Sequence, residues 1–373
     1  MAYLALLALG ALDAAGYSVI APVVPAIARA TGAGPALVGA LVTCFALGQL
    51  VGYPLAGRGI KRAHAAVVLA VALVLMAIGD LGFILGHGLA VYFLSRLLQG
   101  VGAGGLWLGV TFGVLERFPE DGYRRLTGVL AAYSIGGIAG PALGAIGGIR
   151  GPFIAHLTLV AAGGAVVALL GAPIAPPSFG SDRSILRSSG FGLASAGILL
   201  VSLALGTLEG PLALHFGEHL SQAEISALYV GGSILLGISA TAAGRLPPRL
   251  TLAAGTVLLT VAVPLAAATG SIPLWIVAVA IAGIGFGTGE AGALGVLLET
   301  VGPERIVLAL VVWSQLWGIG YLTGPVAGGA VAEALGYGGI GLLSLVAALL
   351  VLAAFVAAAR VAHPREQVMV REP

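Results

Sequence analysis

The chain has 373 residues, 59% of them apolar and only 9% charged, with a formal net charge of +2 and one cysteine. That composition excludes a soluble globular domain and an intrachain disulfide, and it leaves too few charges for a nucleic-acid surface. What remains is a chain built to be buried in lipid.

Twelve apolar segments long enough to span a bilayer follow one another. Helices are expected near 2–28, 35–56, 64–86, 90–115, 126–148, 153–174, 190–215, 223–243, 250–269, 273–299, 306–333 and 339–361. The first run is too long, and lacks the basic start, for a cleaved signal peptide. The Pro- and Ser-rich stretch APPSFGSDRSILRSS divides the chain into a six-helix bundle over 1–174, a linker over 175–189, a second six-helix bundle over 190–361 and a tail over 362–373. Of the 17 Lys and Arg, fourteen fall on one side of this arrangement, Arg58, Lys61, Arg62, Arg124, Arg245 and Arg249 among them. The positive-inside rule then puts both termini, the linker and the tail in the cytoplasm of a multi-pass cell-membrane protein.

In chain order, helix 1 carries Asp13, with Tyr17 one turn on and Pro22 and Pro25 near its outer end. Cys44 in helix 2 reads as packing. Asp80 lies near the outer end of helix 3 and reads as structural. Helix 4 places Arg96, Gln99 and Trp107 on one face, and strips side chains at Gly100, Gly102 and Gly104. Helix 5 contributes Tyr133. Helix 7 carries Glu209, followed by His215 and His219, whose spacing suits a solvated helix end better than a metal. Helix 10 presents Phe286 and Glu290 among alternate glycines, and helix 11 presents Trp313 and Trp317.

The two halves repeat. GGIAGPALG at 136–144 returns as GYLTGPVAG at 320–328, placing Gly136, Gly140, Pro141 and Gly144 opposite Gly320, Gly324, Pro325 and Gly328. Small residues at this spacing let backbones approach, and the prolines kink helices 5 and 11. GVGAG at 100–104 returns as GIGFG at 283–287. LALGALD, ending at Asp13, returns as LALGTLE, ending at Glu209, so these two acids are expected to face each other across the repeat axis.

These motifs resemble the major facilitator superfamily, and within it the twelve-helix drug:proton antiporters. GGIAGPALGAIGG resembles the helix 5 pattern of that branch, RLLQGVGAGG from Arg96 its helix 4 pattern, and YPLAGRGIKR at 53–62 the superfamily loop after helix 2, here holding Arg58, Lys61 and Arg62 as conformational residues. The loop departs from the pattern: Gly57 stands where the family has an acid. The resemblance covers the whole chain and implies an all-α membrane fold of two pseudo-symmetric six-helix bundles, with helices 1, 4, 7 and 10 lining a central cavity.

Ionisable groups at membrane depth are costly and are functional by default. Four of the five here, Asp13, Arg96, Glu209 and Glu290, lie on those cavity helices and form the proton-coupling set. For Asp13 the alternative is a structural pair with Arg96, and for Glu290 a packing hydrogen bond. Tyr17, Gln99, Trp107, Tyr133, Phe286, Trp313 and Trp317 are the substrate-binding candidates, the aromatics offering a surface for a flat cation. Burial disfavours the charged form of a carboxyl, so a cavity acid can hold a proton and release it to an arriving cation. The expected function is proton-coupled export of small lipophilic or cationic compounds by alternating access. Transport of a polar metabolite or organic anion on Arg96, or a receptor without flux, are the alternatives. The expected partners are substrate, protons and lipid, for a monomer with no metal, cofactor or enzymatic activity; no Walker or zinc spacing occurs.

Overall fold

The computed structural model describes residues 1–62, 65–118, 120, 122–170, 188–301, 306–351 and 353. It is an all-α membrane fold of two pseudo-symmetric six-helix bundles. The first holds α1 (Ala2–Thr31), α2 (Pro35–Arg62), α3 (Ala65–Leu85), α4 (Leu89–Arg117), α5 (Gly122–Gly144) and α6 (Arg150–Leu169). The second holds α7 (Gly190–Phe216), α8 (Gln222–Ala243), α9 (Pro248–Ala268), α10 (Ile272–Thr300), α11 (Ile306–Leu335) and α12 (Tyr337–Val351). Among the described residues, nine helices are long and apolar enough to cross a membrane.

The expected linker and tail lie almost wholly outside the described residues, as do the side chains of Lys61, Arg62 and Arg124. Several boundaries differ from the sequence reading, and two of them have a clear cause. The segment 53–62 is not a loop: α2 runs through it to Arg62. Pro54 removes one backbone donor there, but Gly57 and Gly59 keep right-handed backbone, so nothing stops the helix. Helix α5 ends at Gly144, one turn early, because Gly147 and Gly148 take left-handed φ of 88° and 64°.

Contacts repeat with the sequence. In the first half α4 packs on α2 and α3, and α5 on α1; in the second α10 packs on α8 and α9, and α11 on α7. Between halves α2 meets α11 and α5 meets α8, the same contact made twice with the halves exchanged. Glycine makes these seams. A Cβ on Gly140 would stand 2.6 Å from the Ala15 carbonyl oxygen, and one on Gly324 would stand 2.1 Å from that of Leu203. The repeated Gly-Pro motifs therefore bind α5 to α1 and α11 to α7 through backbone contact, which lipid favours because no hydrophobic force separates helix from tail.

Two helices break regularity. In α1 the α-helix stops at Ser18, passes through a 3₁₀ turn at Ala21–Val23 and resumes at Val24, where Pro22 and Pro25 withhold their donors. In α7 a π turn spans Leu208–Leu212 around Pro211.

Candidate functional site

A cavity of about 630 Å³ lies between the halves. Its floor is sealed where α5 meets α8 and α2 meets α11. Gln222 donates to the carbonyls of Gly144 and Gly148, each at 3.0 Å, and the Ala36 amide donates to Glu333 Oε2 at 3.1 Å. Deeper, Thr43 Oγ1 donates to the Leu322 carbonyl at 2.8 Å. Towards the opposite end the lining reaches Gly244, Arg245 and Leu298, so the cavity opens on the side that carries the exposed Arg58 and Arg245.

Eight of the eleven residues expected at the site line this cavity: Glu209, Glu290, Tyr17, Trp107, Tyr133, Phe286, Trp313 and Trp317. Trp107 packs edge-to-face on Tyr133 at 5.0 Å and donates to Ser314 Oγ at 3.0 Å, bridging the halves. Tyr17 meets Trp317 at 6.0 Å, and Trp317 stacks on Tyr321 at 5.0 Å. The buried Trp313 indole N–H has no hydrogen-bond partner among the described residues, leaving a donor beside the cavity. Glu290 is half-buried on α10. Glu209, 3% exposed, accepts a hydrogen bond from the Tyr321 hydroxyl.

Gln99, Arg96 and Asp13 do not line it. Arg96 is fully buried, and its guanidinium donates to Gln99 Oε1 at 2.9 Å and to the carbonyls of Gly16 and Tyr17 at 3.3 and 3.4 Å, while lying 4.3 Å from the Phe45 ring centre. Gln99 in turn donates to Asp80 Oδ1 at 2.7 Å, and His156 Nδ1 meets Asp80 Oδ2 at 2.8 Å. Gln99 thus links the buried cation to Asp80 through one amide, whereas Asp13 makes no hydrogen bond to it. This sets aside the alternative of an Asp13–Arg96 pair and draws Asp80 into a shared network. Both Asp13 oxygens are buried without a hydrogen-bond partner among the described residues.

The repeat register also overturns the facing of Asp13 and Glu209. Gly136 presses on Ala11 and Ala14 as Gly320 presses on Leu199 and Ser202, 188 positions on. Gly144 presses on Pro22 as Gly328 presses on Pro211, 189 positions on. By that register Asp13 corresponds to Val201, and Glu209 to the apolar Ile20. The LALG likeness is displaced by two helical turns, because Leu, Ala and Gly recur too freely in lipid-buried helices to fix a register. The α4 and α10 glycines do align as expected: Gly100 meets Phe45, and Gly283 meets Gly232. This sets Trp107 opposite Glu290.

Sequence reasoning missed Tyr321, Tyr229 and His156. Tyr321 had a signal, since it replaces Gly137 at the second place of the repeated motif. His156 is a single histidine in the apolar middle of α6 and gave none. His215 spends Nδ1 on Glu218 at 3.1 Å and Nε2 on the Thr269 carbonyl at 3.0 Å.

The profile of the Major Facilitator Superfamily matches residues 6–188 and again 188–372. Multidrug resistance protein 2 of Bacillus subtilis is 33% identical over 158 residues, 39% of this chain and 38% of that protein. Multidrug resistance protein 1 of the same organism is 30% identical over 130 residues, 35% and 33% of the two chains. Quinolone resistance protein NorA of Staphylococcus aureus is 28% identical over 130 residues, 35% and 34%. The matched stretches span little more than a third of these relatives' lengths. Among solved structures, a bacterial homolog to the human lysosomal transporter Spinster, inward-facing and unoccupied, is similar with TM-score 0.78 at 16% identity over 96% of each chain. A point mutant of the nucleoside transporter NupG gives 0.76 at 14% identity, over 96% of this chain and all of that one.

Proposed function

Because this chain belongs to the Major Facilitator Superfamily, and is therefore a multi-pass membrane transporter, we propose that it exports small lipophilic or cationic compounds in exchange for protons. One observation carries the reading: two carboxyls, Glu209 and Glu290, stand on the wall of an aromatic-lined cavity closed at one end. The names of the multidrug resistance relatives support it.

A carboxyl at this depth holds either a proton or a cationic substrate, so occupancy by one expels the other. Tyr17, Trp107, Trp313, Trp317 and Phe286 offer ring faces to a flat or lipophilic body. Glu209 and Glu290 serve as the coupling groups. Asp13 is a third proton-exchanging carboxyl, one that meets the cavity when the halves rock. Arg96 acts from behind the wall, by fixing the Gly16 and Tyr17 carbonyls where α1 breaks. The halves, joined by 175–189, rock about the repeat axis with the closed end outward and both termini in the cytoplasm of the cell membrane. The anion reading loses its binding group, since Arg96 is fully buried and its NH1 and NH2 donate within the first half.

The test is proton release from detergent-solubilised protein on adding a lipophilic cation such as tetraphenylphosphonium. Release from the wild type, lost in Glu209→Gln and Glu290→Gln, is expected. Equal release from both variants and wild type removes the coupling role.

A further inference from the structure

Where α1 breaks in a tight 3₁₀ turn around Pro22, α7 widens into a π turn around Pro211, and this is where the two halves fall out of step. Ahead of it, residues of α7 correspond to residues of α1 188 positions earlier; beyond it, 189. One residue has been inserted within a helix, as a π turn requires, and such turns recur at functional sites. The inserted turn holds Glu209, and it begins and ends on an apolar residue, Leu208 and Leu212.

A π turn wastes helical hydrogen bonding, so in lipid its freed backbone groups need partners from outside the helix. Here Tyr229 of α8 donates its hydroxyl to the Leu208 carbonyl. Tyr321 of α11 donates to the Glu209 carboxyl itself. Both tyrosines are buried, and neither hydroxyl has an equivalent in the first half, where Tyr321 is matched by Gly137.

We propose that Tyr229 and Tyr321 are positioning residues: Tyr229 holds α7 in its widened turn, which aims Glu209 at the cavity, and Tyr321 fixes the carboxyl by one oxygen so that the other is left for proton or substrate. This rests on the exporter reading for its purpose but not for its test. Without the Tyr229 hydroxyl the turn winds back to α-helix, and each following side chain is carried about 100° around the axis. Without the Tyr321 hydroxyl Glu209 stays at the wall but loses the donor that favours its ionised form.

Dicyclohexylcarbodiimide, which modifies protonated carboxyls in apolar surroundings, reads both effects without any substrate. The purified full chain is treated at fixed pH, and the modification of Glu209 and Glu290 is quantified by peptide mass spectrometry. Tyr229→Phe is expected to lower Glu209 modification about tenfold with Glu290 unchanged. Tyr321→Phe is expected to raise it several-fold, again with Glu290 unchanged. If Tyr229→Phe fails to fold, seen as Glu290 changing with it, Tyr321→Phe alone decides. Wild-type rates at Glu209 in the Tyr321→Phe variant, or no modification of Glu209 in the wild type, overturn the proposal. Protection of wild-type Glu209 by tetraphenylphosphonium concerns the exporter reading alone. Its absence sinks that reading and leaves the tyrosine comparison standing.

Discussion

The two halves share a frame and divide their polar residues in opposite ways. The first hides its charges: Arg96, Gln99, Asp80 and His156 are bonded to one another behind the cavity wall, with Arg96 and His156 at 0% exposure. The second shows its charges: Glu209 and Glu290 stand at the wall, the first with a single side-chain hydrogen bond from Tyr321. Such a buried network is costly when cut, although Arg96 Nε and His156 Nε2 have no hydrogen-bond partner among the described residues. A weakly partnered carboxyl can change its proton. The difference teaches that the two halves repeat the scaffold but not the placing of charge: the carboxyls that reach the cavity wall both belong to the second half.

That contrast can be broken by substitution. Arg96→Ala takes the cation out of the Gln99–Asp80–His156 network and leaves the Gly16 and Tyr17 carbonyls without their donor, and cutting a buried charged network costs about 3–5 kcal/mol. Thermal unfolding in detergent is expected to show the largest loss here, larger than for Glu209→Gln or Glu290→Gln. Comparable losses in both halves would erase the division. The two aspartates of the first half sharpen it further. Asp80→Leu is expected to destabilise, because it removes the acceptor of Gln99 and His156. Asp13→Leu is expected to leave stability equal or higher, because an unpartnered buried polar group costs about 1–3 kcal/mol. Paired denaturation midpoints decide between them.

Much of the frame was legible. Twelve apolar runs, the Gly-Pro repeat and the glycine alternation of α4 and α10 each report a backbone contact, and such contacts depend on residue size, which a sequence displays. The cavity aromatics and Glu209 and Glu290 were legible for a similar reason, being large or charged residues on glycine-rich helices. The pairing was not. Asp13 and Arg96 stand on the right helices to meet, yet Arg96 turns to backbone carbonyls freed where α1 breaks and to Gln99. Hydrogen-bond choice of that kind depends on a 3₁₀ turn and a rotamer. The insertion in α7 was likewise invisible, because one residue among glycines and leucines leaves no trace in the pattern.

Smaller effects separate the halves as well. Among the described helix starts, side-chain caps occur in the second half: Ser188 accepts from the Phe191 amide at 3.2 Å, and Ser221 forms a capping box with Glu224. Ser221→Ala is expected to cost about 1 kcal/mol, seen as faster amide exchange in the first turn of α8. Gly57→Ala gives the smallest change and the opposite sign. Nothing lies within 4 Å of its missing Cβ, and a helical Gly→Ala substitution gains about 0.5–1 kcal/mol, read as a small rise in the thermal midpoint.

Pro325 sits where two kinds of seam cross. Its ring lies against Gly206 of α7, inside its own half, while its carbonyl presses on Gly39 of α2, in the other half, where a Cβ would stand 2.1 Å away. In the cycle proposed above the first contact is kept and the second is made and broken. Heredity therefore treats the two glycines differently. A side chain at Gly206 pushes α11 off α7 and loosens one bundle from within. A side chain at Gly39 leaves both bundles intact but holds α2 off α11, so inheritance of a sound fold and inheritance of a closed seam are separate matters.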